Sequence, residues 1–232
     1  MTGLKRAIVT DIEGTTSAIS FVKDVLFPFA AQHLPSFVAE HASSAEVSAV
    51  LKSARDHLGN PNLPTDELVK TFLQWIAEDK KVTALKTLQG MIWKSGYERG
   101  ELKGHLYPEV AQVLATWKAG GHALYVFSSG SIAAQRLLFA HTEYGDLTPL
   151  FSGYFDTTTG SKLNASSYTS IAQAVGRPPD EVVFLSDHEG EIAAAQEAGM
   201  RVVCLVREGQ NTHQNSPYLR ATSFREFDPQ AI

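Results

Sequence analysis

Asp11 and Glu13, the run Ser128-Ser129-Gly130-Ser131, Lys162 within Gly160-Ser161-Lys162-Leu163-Asn164, and Ser186-Asp187 with Glu189 and Glu191 are the groups in this sequence whose types and spacing could do chemistry. Acids at two separate places, a hydroxyl pair before a helix and a single lysine make an inventory for phosphate and a divalent cation. A phosphomonoester carries about two negative charges, so carboxylates belong beside it only if a cation neutralises them. Mg²⁺ is ordinarily held by one or two carboxylates together with phosphate oxygens and water, which suits Asp11 and Asp187. With its charge screened, Asp11 is placed to attack phosphorus and form an aspartyl-phosphate. Ser128 or Ser129, with the amides of the helix start that follows, suits the non-bridging oxygens. Lys162 adds a mobile point charge suited to phosphate. Glu13, two residues past the nucleophile, is within reach of proton transfer on the far side of the phosphate.

Each feature alone has an ordinary reading. A strand-end acid is a common polar loop residue, Ser-Ser-Gly-Ser before a helix is commonly an N-cap and turn, and a lone lysine is commonly a solvated charge. Glu189 and Glu191 also suit the dipole at a helix start. Their occurrence in order on successive strand ends carries the argument. Other motifs fail. Leu163 stands where a Walker loop after Gly160-Ser161-Lys162 needs Ser or Thr, and no G-x-G-x-x-G follows a strand. Ser186-Asp187-His188 contains triad residue types without a G-x-S-x-G elbow. His188 reads as an exposed loop residue, the histidines lack metal-ligand spacing, and Cys204, among valines and leucine, reads as a small buried hydrophobe.

Buried strands and the loops that follow them must position these groups. Lys5 to Asp11 reads as a short buried strand ending in a carboxylate. Ala123–Phe127, Val182–Leu185 and Val202–Val206 are apolar throughout and alternate with helices near Val110–Trp117, Tyr168–Val175 and Glu191–Ala198. Strands apolar on both faces, separated by helices, predict a parallel α/β sheet. Ligands of such sheets bind beyond the carboxyl ends of the strands, where Asp11, Ser128 and Asp187 fall. From Ser20 to Gly104 the pattern is helical: Val47, Val50, Leu51, Ala54 and Leu58 share one face before Gly59-Asn60-Pro61, a second helix starts at Pro64-Thr65-Asp66-Glu67, and a third runs from Thr83 to Trp93. This makes the helical block an insertion after strand one. The tail past Gly209 carries no pattern.

The 232 residues fit one domain or one domain with an insertion. At 44% hydrophobic and 19% charged residues the chain supports a core. A net charge of −5 argues against a nucleic-acid or anionic-membrane binder. No apolar run is long enough to span a bilayer, and Asp11 interrupts the start before a signal core forms. One cysteine excludes a disulfide framework. The expectation is a cytoplasmic monomer with a small phosphorylated substrate.

The layout resembles the haloacid-dehalogenase superfamily: Asp11-Ile12-Glu13-Gly14-Thr15-Thr16 is similar to its first motif, Ser128-Ser129 to the second, Lys162 to the third, and Asp187 with Glu191 to the fourth. Glu13 stands where the usual motif has aspartate. That departure, with Ile19-Ser20-Phe21-Val22-Lys23-Asp24-Val25-Leu26-Phe27-Pro28, Lys81 to Gly90, Gly100 to Gly104 and Tyr125 to Ser131, resembles the enolase-phosphatases (acireductone synthases) of methionine salvage. The likeness spans nearly the whole chain. It implies a Rossmann-like core over 1–16 and 106–232 with a helical cap over 17–105. It implies enolisation of 2,3-diketo-5-methylthiopentyl 1-phosphate followed by loss of its phosphate to give acireductone. It further implies one Mg²⁺ at Asp11, Glu13 and Asp187, with substrate at Ser128, Ser129 and Lys162 and Glu191 in support. Glu13's metal contact is expected through its backbone carbonyl, leaving its side chain as the acid/base of enolisation. Phe21 and Phe27 read as cap packing, and Lys23 and Lys103 as candidates for the diketone oxygens. Three alternatives stand beside this: a capped phosphatase for another small phosphomonoester, a phospho-accepting receiver module, and an inactive scaffold. The long helical insertion disfavours the receiver, and the functional residue types at all four motifs disfavour the scaffold.

Overall fold

The computed structural model describes residues 5–207 and 217–232. Six parallel strands form one sheet in the order β3-β2-β1-β4-β5-β6: β1 Ala7–Thr10, β2 Ala123–Phe127, β3 Phe151–Phe155, β4 Val182–Ser186, β5 Arg201–Leu205 and β6 Arg220–Ala221. All four residues of β1 and all five of β4 are buried, which is why their sequences are apolar without alternation. The register pairs Thr10 with both Val126 and Leu185. Asp11, Ser128 and Asp187 therefore leave the sheet at nearly one level.

The chain divides into two compact units, Met1–Ile19 with Gly104–Ile232 and Ser20–Lys103. The second unit holds α1 Phe27–His41, α2 Ala45–His57, α3 Thr65–Ala77 and α4 Thr83–Glu98. The apolar face read from α2 is the buried one: Val47, Val50, Leu51 and Ala54 join Leu34, Leu68, Phe72, Leu88 and Ile92 in one core. Ser44 caps α2 by accepting the Val47 N–H at 3.3 Å. α4 runs a turn further than its pattern suggests, to Glu98. Ahead of α1, Phe21–Leu26 forms a π-helix, a rare geometry that a 3.6-residue pattern does not distinguish. Phe27 packs against the helical core and Phe21 is buried.

In the sheet unit the remaining helices are α5 Val110–Ala119, α6 Ile132–Ala140, α7 Ala165–Val175 and α8 Glu189–Glu197. Tyr168 and Ile171 of α7 and Ile192 of α8 pack with Val9, Phe127, Phe184 and Cys204. Cys204 is a free, buried thiol on β5. Two strands have no counterpart in the sequence pattern. β3 is a half-exposed strand of sequence Phe-Ser-Gly-Tyr-Phe. Its Gly153 faces the Tyr125 ring so closely that a Cβ there would stand 3.1 Å from it. β6 is only two residues long, inside the tail. Among the described residues no helix is long and apolar enough to cross a membrane.

Candidate active site

Beyond the carboxyl ends of β1 and β4 lies a buried ionic cluster. Asp11 donates its backbone N–H to the Leu185 carbonyl at 2.9 Å, which continues the ladder one residue past the strand. Its Oδ1 accepts the Ile12 N–H at 2.7 Å and the Lys162 ammonium at 2.7 Å. The same ammonium reaches Glu191 Oε2 at 2.7 Å. Lys162 and Asp11 are 6% and 3% exposed, so this lysine is no solvated surface charge. Burial pushes the ammonium toward deprotonation, but Asp11 and Glu191 outweigh it and raise its pKa. Phe127 presents its ring face to Nζ at 5.6 Å.

The carboxylates repel one another across this cation. Burial and the charge of Asp11 raise the pKa of Glu191 to about 7, with Lys162 and a bond from Ser186 holding it down. Ser186 Oγ lies 2.9 Å from Glu191 Oε2 and 3.4 Å from Asp11 Oδ2. With one proton to give, it serves Glu191. Glu13 is also raised, by burial first and by Asp11 second. Its Oε2 accepts the Ser128 hydroxyl at 3.2 Å. Ser128 Oγ in turn accepts the Gly130 N–H at 3.2 Å, and Ser131 caps α6 by accepting the Ala134 N–H at 3.3 Å. Ser129 is exposed on this turn.

Asp187 is half-buried, and its backbone N–H donates to Thr15 Oγ1 at 3.0 Å. The turn holding Asp187 is thus tied to the turn holding Asp11 and Glu13. His188 is exposed, as expected, and caps α8: its Nδ1 accepts the Glu191 N–H at 3.3 Å. Asp11, Lys162 and Glu191 are in direct contact, Glu13 meets Ser128, and Asp187 joins through Thr15.

The lysine loop is set by α7. Tyr168, fully buried, donates its hydroxyl to the Lys162 carbonyl at 2.7 Å, and Ser167 Oγ donates to the Ser161 carbonyl at 2.7 Å. Gly160 makes the loop sterically feasible. Its φ is +141°, and a Cβ there would sit 2.3 Å from Ser167 Oγ. Gln135 of α6 holds the other side by donating to the Gly130 and Phe155 carbonyls, each at 2.8 Å. Motif spacing gives Thr15 no role beyond its place in the run after Asp11, and it passes over Tyr168, Gln135 and Arg207. Reading the carboxyl end of β5 as the other strand ends were read points to Arg207, whereas Tyr168 and Gln135 leave no signal beyond helical periodicity.

A buried carboxylate at the end of a central parallel strand, paired with a buried lysine and flanked by a hydroxyl turn, suits a phosphoryl-transfer hydrolase. Residues 5–199 match the haloacid dehalogenase-like hydrolase family, and the chain belongs to it. Within that class the curated relatives are specific. The chain is 57% identical over 204 residues to enolase-phosphatase E1 of Pseudomonas aeruginosa (strain UCBPP-PA14), covering 88% of this chain and 91% of that one. It is 50% identical over 227 residues to enolase-phosphatase E1 of Pseudomonas fluorescens (strain Pf0-1), covering 98% and 99%. The crystal structure of the UTR4 protein from Saccharomyces cerevisiae superposes with a TM-score of 0.82 at 32% identity, over 96% of this chain and 100% of that one. The chain is an enzyme of the enolase-phosphatase E1 family.

Proposed function

We propose that the chain enolises 2,3-diketo-5-methylthiopentyl 1-phosphate and then removes the phosphate to give acireductone. The observation that carries this reading is the buried Asp11–Lys162–Glu191 cluster at the head of β1, in a chain that matches enolase-phosphatases over nearly its full length. In the first reaction a proton leaves the substrate carbon and a carbonyl oxygen becomes a hydroxyl. Glu13 is our choice for this proton transfer, because its side chain is one methylene longer than aspartate and reaches further toward C1. In the second reaction an Asp11 oxygen bonds to phosphorus and the ester P–O bond breaks. The departing oxygen takes a proton. Water then splits the aspartyl-phosphate, restoring the carboxylate and releasing inorganic phosphate. Lys162 neutralises the phosphate, and Ser128 and Ser129 orient it through their hydroxyls and turn amides.

The donor set fits one Mg²⁺. Among the described residues no three His, Cys, Asp or Glu side chains converge into a metal cluster of their own. Mg²⁺ does not require one, since it keeps waters and takes phosphate oxygens beside one or two carboxylates. Lys162 pairs with Asp11 and Glu191, yet the charge of Asp11 still raises the pKa of both Glu13 and Glu191. A hard divalent cation relieves that excess. Asp11, Asp187 and the Glu13 backbone carbonyl are the groups we assign to it, with Glu191 in support through Lys162. When bound, Mg²⁺ supplies Lewis-acid stabilisation of the charge on phosphorus oxygens. We assign the helical unit Ser20–Lys103 as the cap of this reading. The reaction belongs in the cytoplasm, on a monomer.

The test is to incubate the protein with the diketo phosphate with and without Mg²⁺, following enol absorbance and free phosphate together. Mg²⁺-dependent enol formation followed by phosphate release is expected. Release from many sugar phosphates without an enol would instead identify a broad phosphatase. If Glu13→Asp enolises as fast as the wild type, the assignment of the base is wrong.

A further inference from the structure

Arg207 stands two residues beyond β5 and is buried, at 5% exposed. Its guanidinium gathers distant parts of the chain. Nε and Nη2 both donate to the Thr15 carbonyl, at 3.1 and 2.6 Å. Nη1 donates to Glu109 Oε1 at 2.6 Å and to the Thr222 carbonyl at 2.9 Å. Its plane lies over the Tyr107 ring, 4.1 Å from the centroid. Glu109, at the N-terminal end of α5, is buried as well and also accepts the Phe224 N–H at 3.3 Å. Burial alone would raise the pKa of Glu109, but the bond and charge of Arg207 together with backbone N–H bonds outweigh it and lower the pKa. Both side chains are buried, and each makes more than one hydrogen bond.

Thr15 links this pair to the chemistry. It is fully buried in the turn that follows Asp11 and Glu13. Its carbonyl is gripped by two guanidinium donors, while its hydroxyl accepts the Asp187 N–H. One residue thus joins the two turns that carry the acids, and Arg207 fixes where it sits.

We propose that Arg207, braced by Glu109, is a positioning residue that sets the spacing between Asp11 and Asp187 and thereby the affinity of the site for its divalent cation. This rests on the reading above, in which those two acids hold Mg²⁺. The cation demands near-ideal octahedral geometry, so drift of one carboxylate turn against the other weakens binding more than it weakens the fold. Outer groups that orient metal ligands typically govern affinity by roughly 10–100-fold. A lysine cannot replace the arginine. One ammonium has neither the planar fork that meets Thr15, Glu109 and Thr222 together nor the face that lies on Tyr107.

The experiment compares wild type, Arg207→Lys and Asp187→Asn by titration calorimetry with Mg²⁺ alone, alongside thermal unfolding without metal. Arg207→Lys is expected to unfold cooperatively and to bind Mg²⁺ about 10–100-fold more weakly. The Mg²⁺ concentration for half-maximal phosphate release should rise by the same factor, with most of kcat recovered at saturating Mg²⁺. A variant that loses thermal stability but binds Mg²⁺ like the wild type overturns the positioning role. Should Arg207→Lys not fold, Glu109→Gln, which keeps the guanidinium but loosens it, must show the weakening; unchanged affinity there overturns the proposal equally. If the wild type binds no Mg²⁺, or Asp187→Asn binds it as well as the wild type, the metal reading itself fails, and the positioning role with it.

Discussion

Removing one oxygen atom from Tyr168 should be felt both in stability and in catalysis. The ring is fully buried, edge-on to Phe127 and Phe184 with centroids 5.6 and 4.9 Å away. Tyr168→Phe keeps that packing and opens no sizeable cavity. What it deletes is the donor to the Lys162 carbonyl at 2.7 Å. The carbonyl is left in a site its old partner shielded from water, and a buried acceptor without a partner costs about 1–3 kcal/mol. For a chain of this size each kcal/mol moves Tm by about 2–4 °C, so a fall of roughly 2–12 °C is expected. The same bond sets the backbone from which the Lys162 ammonium extends to Asp11 and Glu191. If about 1.4 kcal/mol of that anchoring is lost in the transition state, kcat/KM falls about tenfold. Urea unfolding monitored by tyrosine and tryptophan fluorescence gives the first number, and a phosphate-release assay at saturating Mg²⁺ gives the second. A variant within about 0.5 kcal/mol of wild type, with unchanged kcat/KM, would show that the hydroxyl does not hold the lysine loop.

Three further outcomes follow from the same geometry. Gly160→Ala forces a Cβ to 2.3 Å from Ser167 Oγ at a φ of +141°; it should lower stability by about 1–3 kcal/mol in chemical denaturation and reduce phosphate release, and a neutral result would remove the glycine from the account. Asp11→Asn should fold normally by circular dichroism yet release no phosphate, and ordinary turnover would dismiss Asp11 as the nucleophile. His105 is half-buried, and its Nδ1 lies 3.2 Å from both the Ala18 N–H and the Ser17 hydroxyl. Burial lowers its pKa below the ordinary 6.5, with Glu143 pulling weakly the other way. A depressed folded pKa favours the neutral ring, so this stability is present above pH 6.5 and is lost as pH falls through the folded value. His105→Asn, which keeps an acceptor near Nδ1, should flatten that decline in a Tm-against-pH profile; an equally steep profile would mean the ring is not its source.

Much of the layout is legible before any coordinates because the physics is local. Val47 to Ala54 mark the buried face of α2, and the all-apolar β1 and β4 announce a doubly covered sheet. The strand-end acids and serines follow from the same pattern. What the sequence does not display is pairing across large separations. Nothing near Lys162 announces that its ammonium meets Asp11, or that Tyr168 holds its carbonyl. β3 escapes because a half-exposed Phe-Ser-Gly-Tyr-Phe has neither alternation nor an apolar run, and its glycine is selected by the Tyr125 ring across the ladder. β6 is too short to have a pattern. Arg207 is hidden for another reason: Thr15, Glu109 and Thr222, which accept from it, lie far apart in sequence, and its importance exists only once they meet.

The position of β1 also sets when the enzyme can exist. Its two neighbours, β2 and β4, are translated long after it, with Thr10 waiting for Val126 and then for Leu185. At ~5–20 residues per second that interval is on the order of ten seconds. The intervening helical unit is a single uninterrupted stretch and can form from near neighbours while the ribosome continues. A nascent chain that already carries Asp11 and Glu13 therefore has no lysine, no serine turn and no second acid to work with. On the proposed site, activity waits until Lys162 and Asp187 have been made.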